Sequence, residues 1–246
     1  MSCLILKDID LDLPYKENNA FIGELIDKKA IQKKDAIRLD YEKNWKDTRM
    51  NFRDEIRCIA DLYLRYLGRF QTKKTKKITI NCVESINDEI QNCDGFTEVE
   101  VEFDFRSYTE YEKEEKKKFI LEKLYEGVLK AGEAYKWERS ILKQAYKSVI
   151  ESNYYNEYVW KQKISPSRKY TAEIFCQHEI DTYAVTLNIK ARNTGELVKS
   201  ELLIVERPNE FSFVQNLGVL KWKSNTEVIL FNKSKVKQWL VCIGKC

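Results

Sequence analysis

Glu98, Glu100, Glu102 and Asp104 alternate with Val99, Val101, Phe103 and Phe105. In an extended strand successive side chains point to opposite faces, so the four carboxylates are expected in one row, about 7 Å apart. Like charges in such a row cost stability unless something positive lies opposite. Asp8, Asp10 and Asp12 repeat the pattern near the start of the chain. Three sources of compensation follow from the sequence. Lys161 and Lys163, or Lys221 and Lys223, would pair with the row across strands. Water alone would leave the row to discourage edge-to-edge association. A cationic partner would make Glu98, Glu100, Glu102 and Asp104 a binding face, because an acidic surface steers and selects a basic protein. Binding of a divalent cation is a minor variant of the third.

The overall balance, 43 Lys+Arg against 39 Asp+Glu, conceals this feature. Residues 78–105 contain Glu84, Asp88, Glu89, Asp94, Glu98, Glu100, Glu102 and Asp104, and not one Lys or Arg. Basic residues cluster elsewhere. Lys28, Lys29, Lys33 and Lys34 form one group, and Lys73, Lys74, Lys76 and Lys77 another; either would suit phosphate contacts on a nucleic acid. Solvated helix and loop surface is the simpler account of both.

Support for catalysis is thin. The single histidine, His178, is expected at an exposed hairpin end, with Cys176 two residues away on the same strand face. A nucleophile and its base also need hydrogen-bond reach and a third, orienting group, and no such group is evident. Among eight glycines none falls in a phosphate-binding spacing. One histidine and scattered cysteines argue against a transition-metal site, so neither a metal nor a cofactor is expected. The seven cysteines (Cys3, Cys58, Cys82, Cys93, Cys176, Cys242 and Cys246) read as free thiols of a reducing cytosol, given their odd number and irregular spacing.

The elements that must position these residues follow from periodicity. Alternation over 9–13, stopped by Pro14, predicts a strand. An apolar stripe at steps of three or four, from Ile37 through Trp45, Phe52, Ile59 and Tyr63 to Phe70, predicts a long helix over 35–70 with Asp35 as its N-cap. Strands follow at 78–83 and, after the Asp94-Gly95 turn, at 97–105. Thr109 and Glu112 suggest a capping box opening a second long helix, broken near Glu138. From residue 154 the period becomes two. Strands are expected at 155–163, 169–177, 183–191, 197–205, 211–223, 227–232 and 236–243.

The predicted fold class is therefore α+β: two long helices and a few strands in residues 1–153, then a six- to seven-stranded antiparallel meander in 154–246, packed as one unit with the first. No apolar run reaches the roughly 20 residues of a membrane span. The N-terminus lacks the basic lead-in of a signal peptide. A cytoplasmic, non-enzymatic protein that binds a basic partner is the leading expectation. Toxin-neutralising immunity or inhibitor proteins are the class it most resembles in general character. The Lys-, Ile- and Asn-rich usage suits an AT-rich bacterial or mobile-element gene. A nucleic-acid-associated subunit of a defence or mobile-element complex, using the two lysine clusters, is the first alternative. A carboxylate-metal hydrolase is the second, and it requires Asp and Glu to converge around a Lys in one pocket.

Overall fold

The computed structural model describes residues 4–29, 31–87 and 90–244, Lys29 by its backbone alone. The chain is mixed α+β and divides into two compact units, Met1–Tyr154 and Tyr155–Cys246.

The first unit is built on a four-stranded sheet in the order β2-β4-β6-β5. Strands β2 (Asp8–Asp12), β4 (Lys77–Val83) and β6 (Phe96–Glu102) are parallel, and β5 (Gln91–Cys93) runs antiparallel to β6 at the edge. The β5–β6 hairpin turns at Asp94 (φ 49°) and Gly95 (φ 93°), the pair of positive φ angles that a tight hairpin of this handedness requires. A minor ribbon pairs β1 (Leu4–Ile5) with β3 (Gln71–Thr72). Parallel neighbours need a long crossover, and helices supply it between β2 and β4: α1 (Asn19–Lys29), α2 (Lys33–Asp40), a π-helical turn at Tyr41–Trp45, and α3 (Lys46–Leu67).

The single helix expected over 35–70 thus starts two residues earlier, widens at Tyr41–Trp45 and ends at Gly68, whose φ of 65° breaks the helical path. Asp35 lies in the first turn of α2; Gln32 holds the N-cap position without a capping side chain. The apolar stripe is nonetheless real, with Phe52, Ile56, Ile59, Tyr63 and Leu67 all buried.

Strand β6 also ends earlier than alternation predicted. Its last residue is Glu102, and Phe105 opens a short helix, α4 (Phe105–Glu110), which Asp104 caps. The capping box falls at Glu112 and Glu115, not Thr109 and Glu112, and starts α5 (Lys113–Ala134). Lys136, at φ 56°, breaks the helical run, and Glu138 is the N-cap of α6 (Arg139–Glu151). One face of the sheet, Ile9 and Leu11, Ile78 and Ile80, Val99 and Val101, is fully buried. α3 lies along β2, and α5 along β4 and β6. The fit of α5 on β4 is tight: a Cβ on Gly127 would stand 2.6 Å from Ile80 Cγ1.

Among the described residues the second unit has seven strands, but in two sheets instead of one meander. β7 (Asn156–Ile164), β8 (Tyr170–His178), β9 (Tyr183–Ala191) and β10 (Leu197–Glu206) form a four-stranded antiparallel sheet. β11 (Val219–Trp222), β12 (Glu227–Phe231) and β13 (Gln238–Cys242) form a three-stranded one. The strand expected over 211–223 is mostly absent, because Asn209 caps a one-turn helix, α7 (Glu210–Phe213), that separates the sheets. Phe213 drops from that turn onto Tyr183, stacking at 3.6 Å between ring centroids. A shared buried cluster takes Ile174, Val185 and Leu187 from the first sheet and Leu220, Val228 and Leu230 from the second. Trp222 closes the seam by donating its indole N–H to the Lys163 carbonyl at 2.9 Å.

Candidate functional site

The two acidic rows of the first unit have opposite environments. On β2, each aspartate meets a cation. Arg49 binds Asp12 through two nitrogens, Nε at 2.7 Å and Nη2 in a second short contact. Arg53 reaches Asp10 at 2.6 Å, and Arg57 reaches Asp8 at 3.1 Å and Asp10 at 3.7 Å. Lys77, next door on β4, adds contacts of 2.7 Å to Asp8 and 3.3 Å to Asp10. The match has a geometric origin. Two strand residues advance about 6.8 Å, and four helix residues about 6.0 Å. Arginines at steps of four on α3 therefore stay opposite aspartates at steps of two on β2 for three rungs, with the long guanidinium arms absorbing the drift. Arg57 also donates to the Ile9 carbonyl and to Asp61 at 2.9 Å. Hydrophobic periodicity does not reveal this arginine stripe; its signal in the sequence is the four-residue spacing of Arg49, Arg53 and Arg57 inside a helix.

On β6 no described residue supplies such compensation. Phe96, Glu98 and Glu102 are exposed and Glu100 is half-buried, all on the sheet face opposite the buried Val99 and Val101. Glu98 accepts a 3.3 Å hydrogen bond from Asn81, and Glu100 accepts one of 2.7 Å from the Asn87 amide. No described Lys or Arg forms an ion pair with Glu98, Glu100 or Glu102. The cross-strand lysines expected to serve are placed otherwise. Lys161 and Lys163 lie on β7, which pairs with β8, and Lys221 lies on β11, which pairs with β12, with Lys223 just after it, so none is a cross-strand neighbour of β6. Protection of an open edge does not account for Glu98 either, since it is paired on both sides, with Thr79 of β4 and Gln91 of β5. Lys130 of α5 donates to the Glu100 carbonyl at 2.9 Å.

Asp104 stands apart from this row. Its carboxylate accepts from the amides of Arg106 and Ser107 and from the Ser107 hydroxyl. The Ser107 hydrogen bonds hold its carboxyl below the usual carboxylate range. It is a helix cap, so the expected four-carboxylate face contains three of its members. Asp88 and Glu89 of the acidic segment lie outside the described residues.

The row leads into a cleft of about 850 Å³ at the carboxyl ends of β2, β4 and β6. The loops that follow these three parallel strands form its rim. Glu102 is both the last rung of the row and part of the cleft lining. The walls include Trp45, Phe105 and Phe119, each half-buried, over the buried Phe103. Trp45 is fixed by its indole N–H on the Leu13 carbonyl (3.3 Å) and by an edge contact from Tyr15. Two cations reach the lining, Lys16, paired with Glu84 at 2.8 Å, and Lys123, paired with Glu126 at 3.1 Å. Cys82 forms part of the floor. Burial pushes its thiol well above the normal range, which keeps it protonated and a poor nucleophile.

The lysine clusters occupy two separate elements. Lys28 pairs with Glu24 at 2.6 Å, and Lys33 and Lys34 are exposed at the start of α2. The Lys29 side chain is outside the described residues. Lys73 and Lys74 are exposed on the turn before β4, Lys76 donates to the Asp94 carbonyl, and Lys77 is consumed by the β2 aspartates.

His178 is not a surface residue. It is 2% exposed at the end of β8, its Nε2–H donating to the Pro208 carbonyl at 2.8 Å, with Tyr183 and Phe213 edge-on at 5.2 and 5.4 Å. A carbonyl accepts only, so this bond requires the proton on Nε2, and the ring serves the core. Cys58, Cys82, Cys93 and Cys176 carry free thiols, whereas Cys242 is disulfide-bonded, in contrast to the all-thiol expectation; Cys3 and Cys246 lie outside the described residues. Among the described residues, no group of three or more His, Cys, Asp or Glu side chains is placed to hold a metal ion. Nor is any described helix long and apolar enough to cross a membrane. Comparison with family models, curated proteins and solved structures finds no match.

Proposed function

We propose that this is a non-enzymatic binding protein whose first unit engages a basic protein partner through Glu98, Glu100 and Glu102, in the manner of a toxin-neutralising immunity or inhibitor protein. The observation that carries this reading is the contrast within one sheet. The aspartates of β2 are each matched by an arginine of α3, whereas the glutamates of β6 face outward with no cation paired to them among the described residues. A row of like charges that no described cation offsets is a cost, and a complementary surface on a second protein removes it.

The test uses the full chain, and a Glu98→Gln/Glu100→Gln/Glu102→Gln variant, as baits in native extract, followed by association kinetics with each captured protein. The wild type should retain basic proteins whose on-rates fall with added salt; the variant should bind them about tenfold more slowly with a flattened salt slope. Equal capture and equal salt dependence by both baits sink the proposal.

The nucleic-acid reading retains one favourable observation. Lys33, Lys34, Lys73 and Lys74 are exposed and make no ion pair among the described residues. It requires DNA or RNA binding that weakens steeply with salt, and a gel shift at low salt with no retardation removes it.

A further inference from the structure

We propose that the cleft at the carboxyl ends of β2, β4 and β6 receives an arginine side chain of the partner, so that recognition distinguishes a guanidinium from positive charge in general. The inference rests on the acidic row being the partner-binding face, and it adds the chemistry at the end of that row.

Charge in the lining comes first. The lining carries three carboxylates, Glu84, Glu102 and Asp104, against two lysines, Lys16 paired with Glu84 and Lys123 paired with Glu126, a carboxylate that Lys130 also approaches at 3.9 Å. Asp104 is engaged by Ser107 and the first amides of α4. Glu102 is the lining carboxylate that makes no hydrogen bond or ion pair among the described residues. A cationic guest is therefore favoured over an anionic one. A segment laid along Glu98 and Glu100 reaches the cleft at Glu102 without leaving strand β6.

The walls select the kind of cation. Trp45, Phe105 and Phe119 present partly exposed rings, and aromatic faces attract cations, tryptophan most strongly. One ring already holds an ammonium of the protein itself, with Lys123 Nζ 5.8 Å above the centre of Phe119. A guanidinium is planar and weakly hydrated, stacks on such faces and grips a carboxylate through two N–H groups. An ammonium is a compact, strongly hydrated charge that loses more on entering an aromatic cleft. Trp45 is held in place before any guest arrives, so little ordering is needed on binding. At about 850 Å³ the space admits an arginine together with its flanking chain.

The experiment titrates N-acetyl-arginine amide and N-acetyl-lysine amide into the full chain, reading the Trp45 indole N–H by NMR, with hexalysine as a separate probe of the row. The arginine probe should shift the Trp45 signal at millimolar concentration, at least fivefold more tightly than the lysine probe, and Glu102→Gln should weaken it about tenfold while the spectrum stays dispersed. Equal affinity of the two amides, or no shift at Trp45 with either, overturns the arginine inference. If hexalysine still binds in a manner dependent on Glu98 and Glu100, the row survives as a partner face while the cleft does not. If hexalysine fails as well, both readings fall together.

Discussion

Removing charge from the two acidic rows should have opposite consequences for stability, and the size of each effect follows from the contacts. The Asp10 carboxylate is 4% exposed and receives Arg53 at 2.6 Å, Lys77 at 3.3 Å and Arg57 at 3.7 Å. Asp10→Asn keeps the shape and removes the anion. Breaking a fully buried pair costs about 3–5 kcal/mol. Arg53 is 36% exposed and Lys77 24%, so both recover some hydration, and Lys77 and Arg57 keep Asp8. The expected loss is reduced to about 2–3 kcal/mol, or roughly 5–10 °C in the midpoint of the first unit.

For Glu98, Glu100 and Glu102 the arithmetic runs the other way. Neighbours about 7 Å apart repel by about 0.6 kcal/mol in water, and physiological salt cuts that to about 0.2–0.3 kcal/mol. Two neighbouring pairs make the triple Gln variant unchanged or stabilised by roughly 0.5 kcal/mol. Because the chain has two compact units, the assay should resolve them. Urea titration followed by hydrogen exchange in peptides covering β2, β4 and β6 does so. If the triple variant loses as much protection as Asp10→Asn, the β6 carboxylates hold the fold together, and the argument from their lack of compensation is refuted.

Two close backbone approaches give further tests. A Cβ on Gly218 would stand 2.4 Å from the Phe231 carbonyl and 2.5 Å from Asn232 backbone atoms, none of which can rotate away. Gly218→Ala should cost about 3 kcal/mol or more and lower the midpoint of the second unit, whereas Gly23→Ala, with nothing within 4 Å, should be neutral or stabilise α1 by up to about 1 kcal/mol. Gly127→Ala sets a helix gain of about 1 kcal/mol against contacts of 2.6–2.8 Å with the stiff, branched Ile80, and calorimetry should record a net loss of up to about 2 kcal/mol. Acid stability turns on Asp40. Burial opposes its ionisation, but hydrogen bonds from the Tyr15 hydroxyl, the Asn18 amide and the Asn44 side chain outweigh this and lower its pKa. A carboxyl lowered on folding contributes stability above its unfolded value, about 4, that disappears as pH falls through the folded value. Urea midpoints measured from pH 7 to pH 3 should therefore decline less steeply for Asp40→Asn, which starts lower at pH 7; parallel curves would remove Asp40 from the acid response.

Parts of this architecture are legible from period alone, and the exceptions share a cause. The stripe from Ile37 to Leu67 marks a helix because burial on one face repeats every three or four residues whatever lies opposite. The break before α6 is legible because Glu138 interrupts such a stripe. Period two, however, is the same for one seven-stranded meander as for a four-stranded and a three-stranded sheet. What separates them is tertiary: Asn209 capping a turn, Phe213 seated on Tyr183, and Gly218 pressed against the Phe231 carbonyl. His178 looks like a hairpin residue until the Pro208 carbonyl, 30 residues on, receives its N–H. Asp104 continues the alternation of β6 in type, yet Ser107 three residues later turns it into a cap.

The acidic rows sharpen the point. Asp8-x-Asp10-x-Asp12 and Glu98-x-Glu100-x-Glu102 are the same pattern, and alternation points to strand lysines as compensation because strand partners are the natural neighbours of strand residues. The cations that matter for the first row lie on a helix, at a spacing of four that tracks a strand spacing of two. A search for helical Arg or Lys at i, i+4 and i+8 finds two sets, Arg49, Arg53 and Arg57 on α3 and the exposed Arg139, Lys143 and Lys147 on α6, and the first is the one that meets an acidic row. Among the described residues no ion pair joins either set to Glu98, Glu100 or Glu102. Acidity therefore does not identify the candidate surface on this protein; a row left over after the internal cations have been assigned does, and that row is Glu98, Glu100 and Glu102.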